Sequence, residues 1–266
     1  MLIAQLSDPH VRPEGVLYQG VADSNRMLEA AIDRLHGLDP RPDVLVLTGD
    51  LVDEGLPEEY AAARAILDRL EIPLRLLPGN HDERRAFRDA FADRHYYLPA
   101  TGPLHWADGG HGPVRVVALD VTVPGLHHGL VDAAGARWLD STLAEEPGRP
   151  TLLLLHQPPF TCGIPYMDLY RCHGEERLAA VLRRHPQVER VACGHVHRTM
   201  QLRFAGTLLV TAPSTATQIA LRLRPDAEPA SHLDPPGFLL HHWLPGTGLV
   251  THVCPVAEGP GPFPFA

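Results

Sequence analysis

A mixed α/β fold organised around two β-sheets is the class this sequence predicts, and three observations carry the prediction. Five short, largely apolar runs, at residues 2–6, 44–47, 74–77, 152–155 and 191–193, lack regular polar alternation and read as strands buried on both faces. Segments with helical spacing of apolar residues lie between them, the order expected of a mostly parallel sheet with helices packed outside it. Beyond residue 193 the chain reads as strands alone, which predicts a second sheet built from the C-terminal strands.

The elements follow in order. Strand 2–6 runs into Asp8-Pro9-His10. Asp23 or Ser24 caps a helix to about residue 38, with Leu28, Ala31, Ile32 and Leu35 on its apolar face. After strand 44–48, Pro57 with Glu58 and Glu59 opens a second helix, because proline fits the first turn and acidic groups suit the positive end of the helix dipole. Tyr60, Ala63, Leu67 and Leu70 line one face of it. Strand 74–77 leads through Gly79-Asn80-His81 into a short charged helix near 83–92. Residues 95–112, rich in Gly, Pro, His and aromatics, read as irregular. A strand at 114–119 ends at Asp120, Asp132 caps a helix over 133–145, and strand 151–155 precedes a Pro-rich loop, 157–174. A helix from about 175 to 185 and a strand at 189–193 close the alternating part. Strands 201–204, 207–211, 238–244 and 250–253 follow, the last two joined by Pro245-Gly246-Thr247-Gly248. Residues 212–236 form a long loop, and 257–266 a Gly- and Pro-rich tail. Residues 1–266 read as one domain, with loops 157–174 and 212–236 as candidates for a lid or an oligomer contact.

Composition narrows the function classes. With 44% hydrophobic and 21% charged residues the chain has an ordinary globular balance. Its net charge of -9 lacks the basic footprint of a general nucleic-acid binder and is repelled by anionic lipid. A strand starting at Leu2 leaves no room for a signal peptide, and no apolar stretch approaches the roughly 20 residues of a membrane span. The four cysteines, Cys162, Cys172, Cys193 and Cys254, form no CxxC pair. The expectation is a cytoplasmic protein with reduced thiols. Several of the 17 histidines, His127-His128 and His241-His242 among them, have no obvious partner in the sequence.

Five strand tips carry metal-ligand side chains: Asp8-Pro9-His10, Gly49-Asp50, Gly79-Asn80-His81, His156 and Gly194-His195-Val196-His197. In open α/β sheets ligands bind outside the carboxyl ends of the strands. On an extended chain Asp8 and His10 leave the same face, although turns also favour Asp. Asp50 after a glycine either binds a cation or caps a turn. Asn80 offers a hard neutral oxygen, or a left-handed turn. His156 after four leucines is either a ligand or a core imidazole bonded to backbone. His195 and His197, at alternate positions, face one site or straddle two ions.

Taken together, the order D-x-H, GD, GNH[D/E], H and GHxH resembles the calcineurin-like metallophosphoesterases. It stands here as Asp8-Pro9-His10, Gly49-Asp50, Gly79-Asn80-His81-Asp82, His156 and Gly194-His195-Val196-His197. Leu17-Tyr18-Gln19-Gly20, Pro57-Glu58-Glu59-Tyr60 and Tyr166-Met167-Asp168 with Cys172 and Gly174 narrow the likeness to the class III cyclic-nucleotide phosphodiesterase branch, and within it most to the bacterial glycerophosphodiesterases. The resemblance implies a four-layer αββα sandwich. It also implies two divalent ions per chain, one held by Asp8, His10, Asp50 and His197 and the other by Asp50, Asn80, His156 and His195, with Asp50 bridging. Mixed oxygen and nitrogen ligands suit manganese, iron, zinc or cobalt. The group can carry a cysteine after the Gly-Asp strand that links subunits. Residues 51–55 have none, which leaves a non-covalent homo-oligomer.

The implied reaction is hydrolysis of a small phosphodiester, a glycerophosphodiester or a 3′,5′-cyclic nucleotide, by a metal-bridging hydroxide. His81, free of metal duty, is the expected donor to the leaving oxygen, with Asp82 orienting it. Tyr18, His81, Tyr166, Met167, Asp168 and Arg171 are the substrate-contact candidates. Tyr18 and Tyr166 also read as packing residues. A phosphomonoesterase or nucleotidase is the competing enzyme reading, and a non-catalytic scaffold the competing class. The acidic surface disfavours long nucleic acid.

Overall fold

The computed structural model describes residues 1–93 and 98–264. Three parallel strands, Leu2–Leu6, Val44–Thr48 and Leu74–Leu77, sit side by side in a five-stranded sheet. Leu2–Leu6 and Val44–Thr48 are buried along their whole length, which is why they carry no polar alternation. The second sheet has six strands, in the order Gln201–Phe204, Thr207–Thr211, Val188–Cys193, Thr151–Leu154, Arg115–Ala118 and Trp106–Asp108.

The C-terminal strands do not make a sheet of their own. Gln201–Phe204 and Thr207–Thr211 extend the second sheet, whereas Gly237–Leu244 joins the first antiparallel to Leu2–Leu6, with Leu2 opposite His242, and Gly248–Pro255 pairs antiparallel to Gly237–Leu244 at the sheet's edge. The segment 212–236 carries the chain across between the two sheets, and strand spacing in the sequence is blind to that crossing.

Helices cover both outer faces. Asp23 caps Ser24–His36 by accepting from the Arg26 amide at 3.1 Å, and Leu28, Ala31, Ile32 and Leu35 are buried beneath it. Pro57–Leu67 and Arg84–Phe91 pack on the same core. Ala133–Glu145, capped by Asp132 onto the Gly135 amide, and Glu175–Leu182 cover the second sheet. The larger core cluster draws on both sheets, Ile3 and Leu6 with Leu152, Leu154 and Ala192, so the sheets pack face to face and the layers run αββα. Gln5 crosses between them, donating to the Thr48 hydroxyl at 2.9 Å and the Cys193 carbonyl at 3.2 Å.

Several stretches read as loops hold short elements. Residues 95–97 of the irregular segment lie outside the described residues, and its later part holds Trp106–Asp108. Loop 157–174 contains the turn of helix Pro165–Asp168 and the strand Cys172–His173, which pairs with Leu126–Leu130. Loop 212–236 contains the ribbon Gln218–Ile219 with Ser231–His232. Strands of two residues carry no periodicity a sequence can display. Just before the tail Val256 is buried, and within it Glu258 pairs with Arg34, while residues 265–266 lie outside the described ones. All four cysteines are free, and no helix among the described residues is long and apolar enough to cross a membrane.

Candidate metal centre

The parallel strands of both sheets deliver their carboxyl ends to one place. Asp8 follows Leu2–Leu6, Asp50 follows Val44–Thr48, His156 follows Thr151–Leu154 and His195 follows Val188–Cys193. The chain there is not extended. Asp8, His10, Asp50, His195 and His197 all adopt left-handed backbone, with φ of 54°, 44°, 48°, 69° and 48°. Asp8 and His10 therefore meet through two tight turns rather than through strand alternation. Among the described residues only Gln19 and Ala205 share this conformation outside glycine. Strain of roughly 1–3 kcal/mol per residue collects at functional sites.

Close approach explains two glycines. A Cβ on Gly79 would strike the Asp50 carboxylate, and one on Gly194 would strike the Ser7 hydroxyl and Asp8. The Gly79 loop is fastened by Asp82, whose carboxylate accepts from the amides of Gly79 at 2.8 Å and Leu51 at 3.1 Å, and from the Tyr60 hydroxyl at 3.2 Å. Asp82 thus holds the loop against the Asp50 strand end. The group that orients His81 is Asp53 instead. The His81 Nδ1–H donates to the Asp53 carbonyl at 2.6 Å and lies 3.5 Å from its carboxylate.

Three clusters of possible ligands form among the described residues, each within 4.8 Å: Asp8, His10 and His197; Asp50, His156 and His195; and His10, Asp53 and His81, of which the first two are fully buried and face each other. His156 donates from Nδ1 to the Thr48 carbonyl at 2.7 Å, which leaves its Nε2 facing Asp50 Oδ2 at 3.1 Å. His197 donates from Nδ1 to the Thr217 carbonyl at 2.8 Å, and its Nε2 meets the Nε2 of His10 at 3.1 Å. Nε2 of His156 and of His195 is buried with no hydrogen-bond partner. Lone pairs aimed at one another in a buried site repel unless a proton or a metal cation lies between them. Asp50 Oδ2 is also 3.8 Å from His10 Nε2, which puts this oxygen between the two clusters. The donor set, imidazole and carboxylate fixed by outer hydrogen bonds, fits divalent ions.

Electrostatics agree. Burial raises Asp50, yet His156, His81 and His10 outweigh it and hold the carboxyl well below its usual range. Burial likewise opposes ionisation of Asp8, which His197 and His156 overcome. Burial works to lower His156, but Asp50 and Asp8 lift it to about 9. His195, buried beside His156, is pushed down to about 3. The centre stabilises positive charge between its carboxylates and keeps His195 neutral and ready to donate a lone pair.

A cavity of about 340 Å3 opens over the clusters. Its lining includes Tyr18, Asn80, His81, Tyr166 and Met167 from the sequence reading. Tyr18 stacks on His10 with ring centroids 4.4 Å apart. Asp168 does not line it: the carboxylate caps the Cys162 and Gly163 amides at 2.6 and 3.1 Å and shapes the Pro165–Asp168 turn. Arg171 is likewise absent from the lining and pairs with Glu175 at 3.0 Å. Sequence reasoning passed over Asp53, His127, Gln19 and Tyr170. Asp53 follows Asp50 by three residues, and that spacing was its only signal. His127 arrives on the strand Leu126–Leu130, after a Pro124-Gly125 turn, and its Nδ1 lies 3.2 Å from the Asn80 amide nitrogen.

Comparison with known proteins follows the same lines. The family model described as calcineurin-like phosphoesterase matches residues 1–199. A probable glycerophosphodiester phosphodiesterase of Arcobacter nitrofigilis is 33% identical over 100% of this chain and 97% of its own length. A glycerophosphodiester phosphodiesterase of Enterobacter lignolyticus is 31% identical over 99% of this chain and 94% of its own. The 3′,5′-cyclic adenosine monophosphate phosphodiesterase of Escherichia coli K12 is 30% identical over 81% of this chain and 76% of its own. Among solved structures, a dimetal phosphatase from Danio rerio superposes with a TM-score of 0.64 at 14% identity, covering 97% of this chain and 99% of that one, which shows a shared fold.

Proposed function

Because the chain belongs to the calcineurin-like phosphoesterase family, we propose that it hydrolyses small phosphodiesters at a centre holding two divalent metal ions. The observation that carries this reading is the pair of facing clusters with the Asp50 carboxylate between them. Asp8, His10, Asp50 and His197 would hold one ion, and Asp50, Asn80, His156 and His195 the other. Manganese, iron, zinc and cobalt all suit such a mixed donor set. When bound, the ions supply Lewis acidity for a phosphoryl oxygen and acidify the attacking water.

The chain's own groups do the rest. His81 is fixed through Nδ1, so its Nε2 is the atom free to give a proton to the departing alkoxide. The Asn80 amide, accepting from Gln157 at 3.4 Å, keeps its place on the cavity wall. Tyr18, Tyr166 and Met167 bound the substrate, and Asp53 positions both His10 and His81, lying 3.4 and 3.5 Å from their Nδ1 atoms.

The diester preference is supported by the names of full-length relatives, glycerophosphodiester phosphodiesterases. We read residues 1–266 as one domain, since the C-terminal hairpin supplies two strands of the first sheet, and the free thiols suit the cytoplasm. Metal-reconstituted protein should show a higher kcat/KM on bis(p-nitrophenyl) phosphate than on p-nitrophenyl phosphate. The reverse preference makes the protein a monoesterase and ends the proposal.

A further inference from the structure

Beside the metal-facing cavity lies a second one of about 290 Å3, and Gln19, Tyr166 and Ile219 are walls of both. Ile219 and Ser231 of the ribbon Gln218–Ile219 with Ser231–His232 line this second cavity, Ile219 at the wall the two cavities share. That ribbon is tied to the candidate ligands: the Thr217 carbonyl accepts from His197, and the Ile219 carbonyl accepts from Arg198 at 2.8 Å. Gln19 spans the shared wall. Its Nε2 donates to the Tyr18 hydroxyl at 3.0 Å, and its Oε1 accepts from the Ser231 hydroxyl at 2.6 Å. It does so from a left-handed backbone, φ 53°, although no metal role falls to it. Strain held at a residue that joins two cavities points to a binding role.

A phosphodiester carries an organic group on each of two ester oxygens, or one larger group on both when it is cyclic, and the metal-facing cavity must also hold the phosphoryl group. The second cavity has the chemistry to take one of them. Ile164, Pro165 and Ala220 give it apolar walls, and Gln19 and Ser231 give one polar edge. Arg222 and Glu228 stand in its lining with opposite charges, so it offers a charged group no net attraction. Apolar walls with a few placed polar groups select an uncharged organic moiety. We propose that this second cavity receives an uncharged, hydroxyl-bearing alcohol group of the diester, a polyol or a nucleoside, and that Gln19, Tyr166 and Ile219 set specificity at its threshold. This rests on the phosphodiesterase reading above.

Ala230→Trp and Ala227→Trp each place an indole inside the cavity, and using both guards against one that fails to fold. Melting temperature identifies the folded variants. Metal-loaded wild type and variants are assayed on glycerophosphoglycerol, the polyol arm, and on 3′,5′-cyclic AMP, the nucleoside arm. The inhibition constant of inorganic phosphate, which needs only the metal-facing cavity, is the internal reference. The expected result is a rise of roughly tenfold or more in KM relative to that constant on at least one arm, and the affected arm identifies the group. A ratio within about twofold of wild type on both arms, in a folded variant, overturns the proposal. If the wild type hydrolyses neither diester nor bis(p-nitrophenyl) phosphate, the phosphodiesterase reading fails instead. Wherever neither diester is turned over, saturation-transfer NMR of glycerol and adenosine decides the pocket: binding lost in the variants upholds it, and no binding to wild type overturns it.

Discussion

Replacing His81 by alanine isolates proton donation from metal binding, because the structure separates the two. The contact of His81 with Asp50 is made by its backbone N–H, 2.9 Å from Asp50 Oδ1, and survives the substitution. The imidazole itself touches the Asp53 carbonyl and stands edge-on to His10 with centroids 4.8 Å apart. Burial lowers its pKa, but Asp50 and Asp53 raise it further, so the protonated form is favoured. General acid catalysis contributes about 10²–10⁴-fold, or roughly 3–5 kcal/mol of barrier. That whole contribution applies to a diester with an alkyl leaving group, whose alkoxide must be protonated as it departs. An activated aryl oxide leaves without help, so the loss on bis(p-nitrophenyl) phosphate should stay below about tenfold. Single-turnover rates on both substrates, with metal content measured on the same samples, make the comparison. Equal losses on the two esters, or loss of metal from the variant, would refute the assignment of His81 as the acid.

Three further outcomes are expected. Chelation should lower the melting temperature, and one ion restored at 100 times its dissociation constant should stabilise by about 2.7 kcal/mol, or roughly 5–10 °C at this chain length; scanning calorimetry with and without chelator tests this. Gly79→Ala should destabilise by about 1–3 kcal/mol through overpacking and reduce metal stoichiometry, because its Cβ meets the Asp50 carboxylate; urea unfolding and metal analysis together check it. Burial and the charge of Arg190 push His241 down to about 3 from its ordinary 6.5. The unfolded chain then binds the proton that the folded chain refuses, so stability is full above pH 6.5 and falls as pH drops from there toward 3, by up to about 1.4 kcal/mol per pH unit. His241→Gln should flatten that part of the metal-free stability profile, and an unchanged slope would show that other groups set it.

The ligand-bearing strand tips were legible because burial on both faces leaves an apolar run that ends abruptly at Asp, Asn or His. The helices were legible through their caps: Asp23, Pro57 and Asp132 act where their chemistry suggests. The partition of strands between sheets was not legible, since Leu2–Leu6 pairs with Gly237–Leu244 across almost the whole sequence. Nor were the walls of the cavities. Gln218–Ile219 and Ser231–His232 are too short to show alternation, and His127 looks in sequence like any other polar residue on a hairpin.

The left-handed residues show why local reasoning stops at the centre itself. Propensity argues against that backbone for His10, His195 and His197, whose Cβ atoms crowd the following carbonyl. The conformation persists because its surroundings fix it from several sides. The Asp8 amide donates to the Gly49 carbonyl at 3.1 Å and the Ser214 hydroxyl to the Asp8 carbonyl at 2.7 Å. The His10 amide donates to the Asp50 carbonyl at 3.0 Å and the Ser24 hydroxyl to the His10 carbonyl at 2.8 Å. These partners come from the strand end at Gly49-Asp50, the loop that holds Ser214 and the helix that begins at Ser24, so the turn at each ligand exists only once the sheets and their helices have assembled. Residue types at the tips can therefore be read in one dimension, while the turns that aim them are a property of the completed fold.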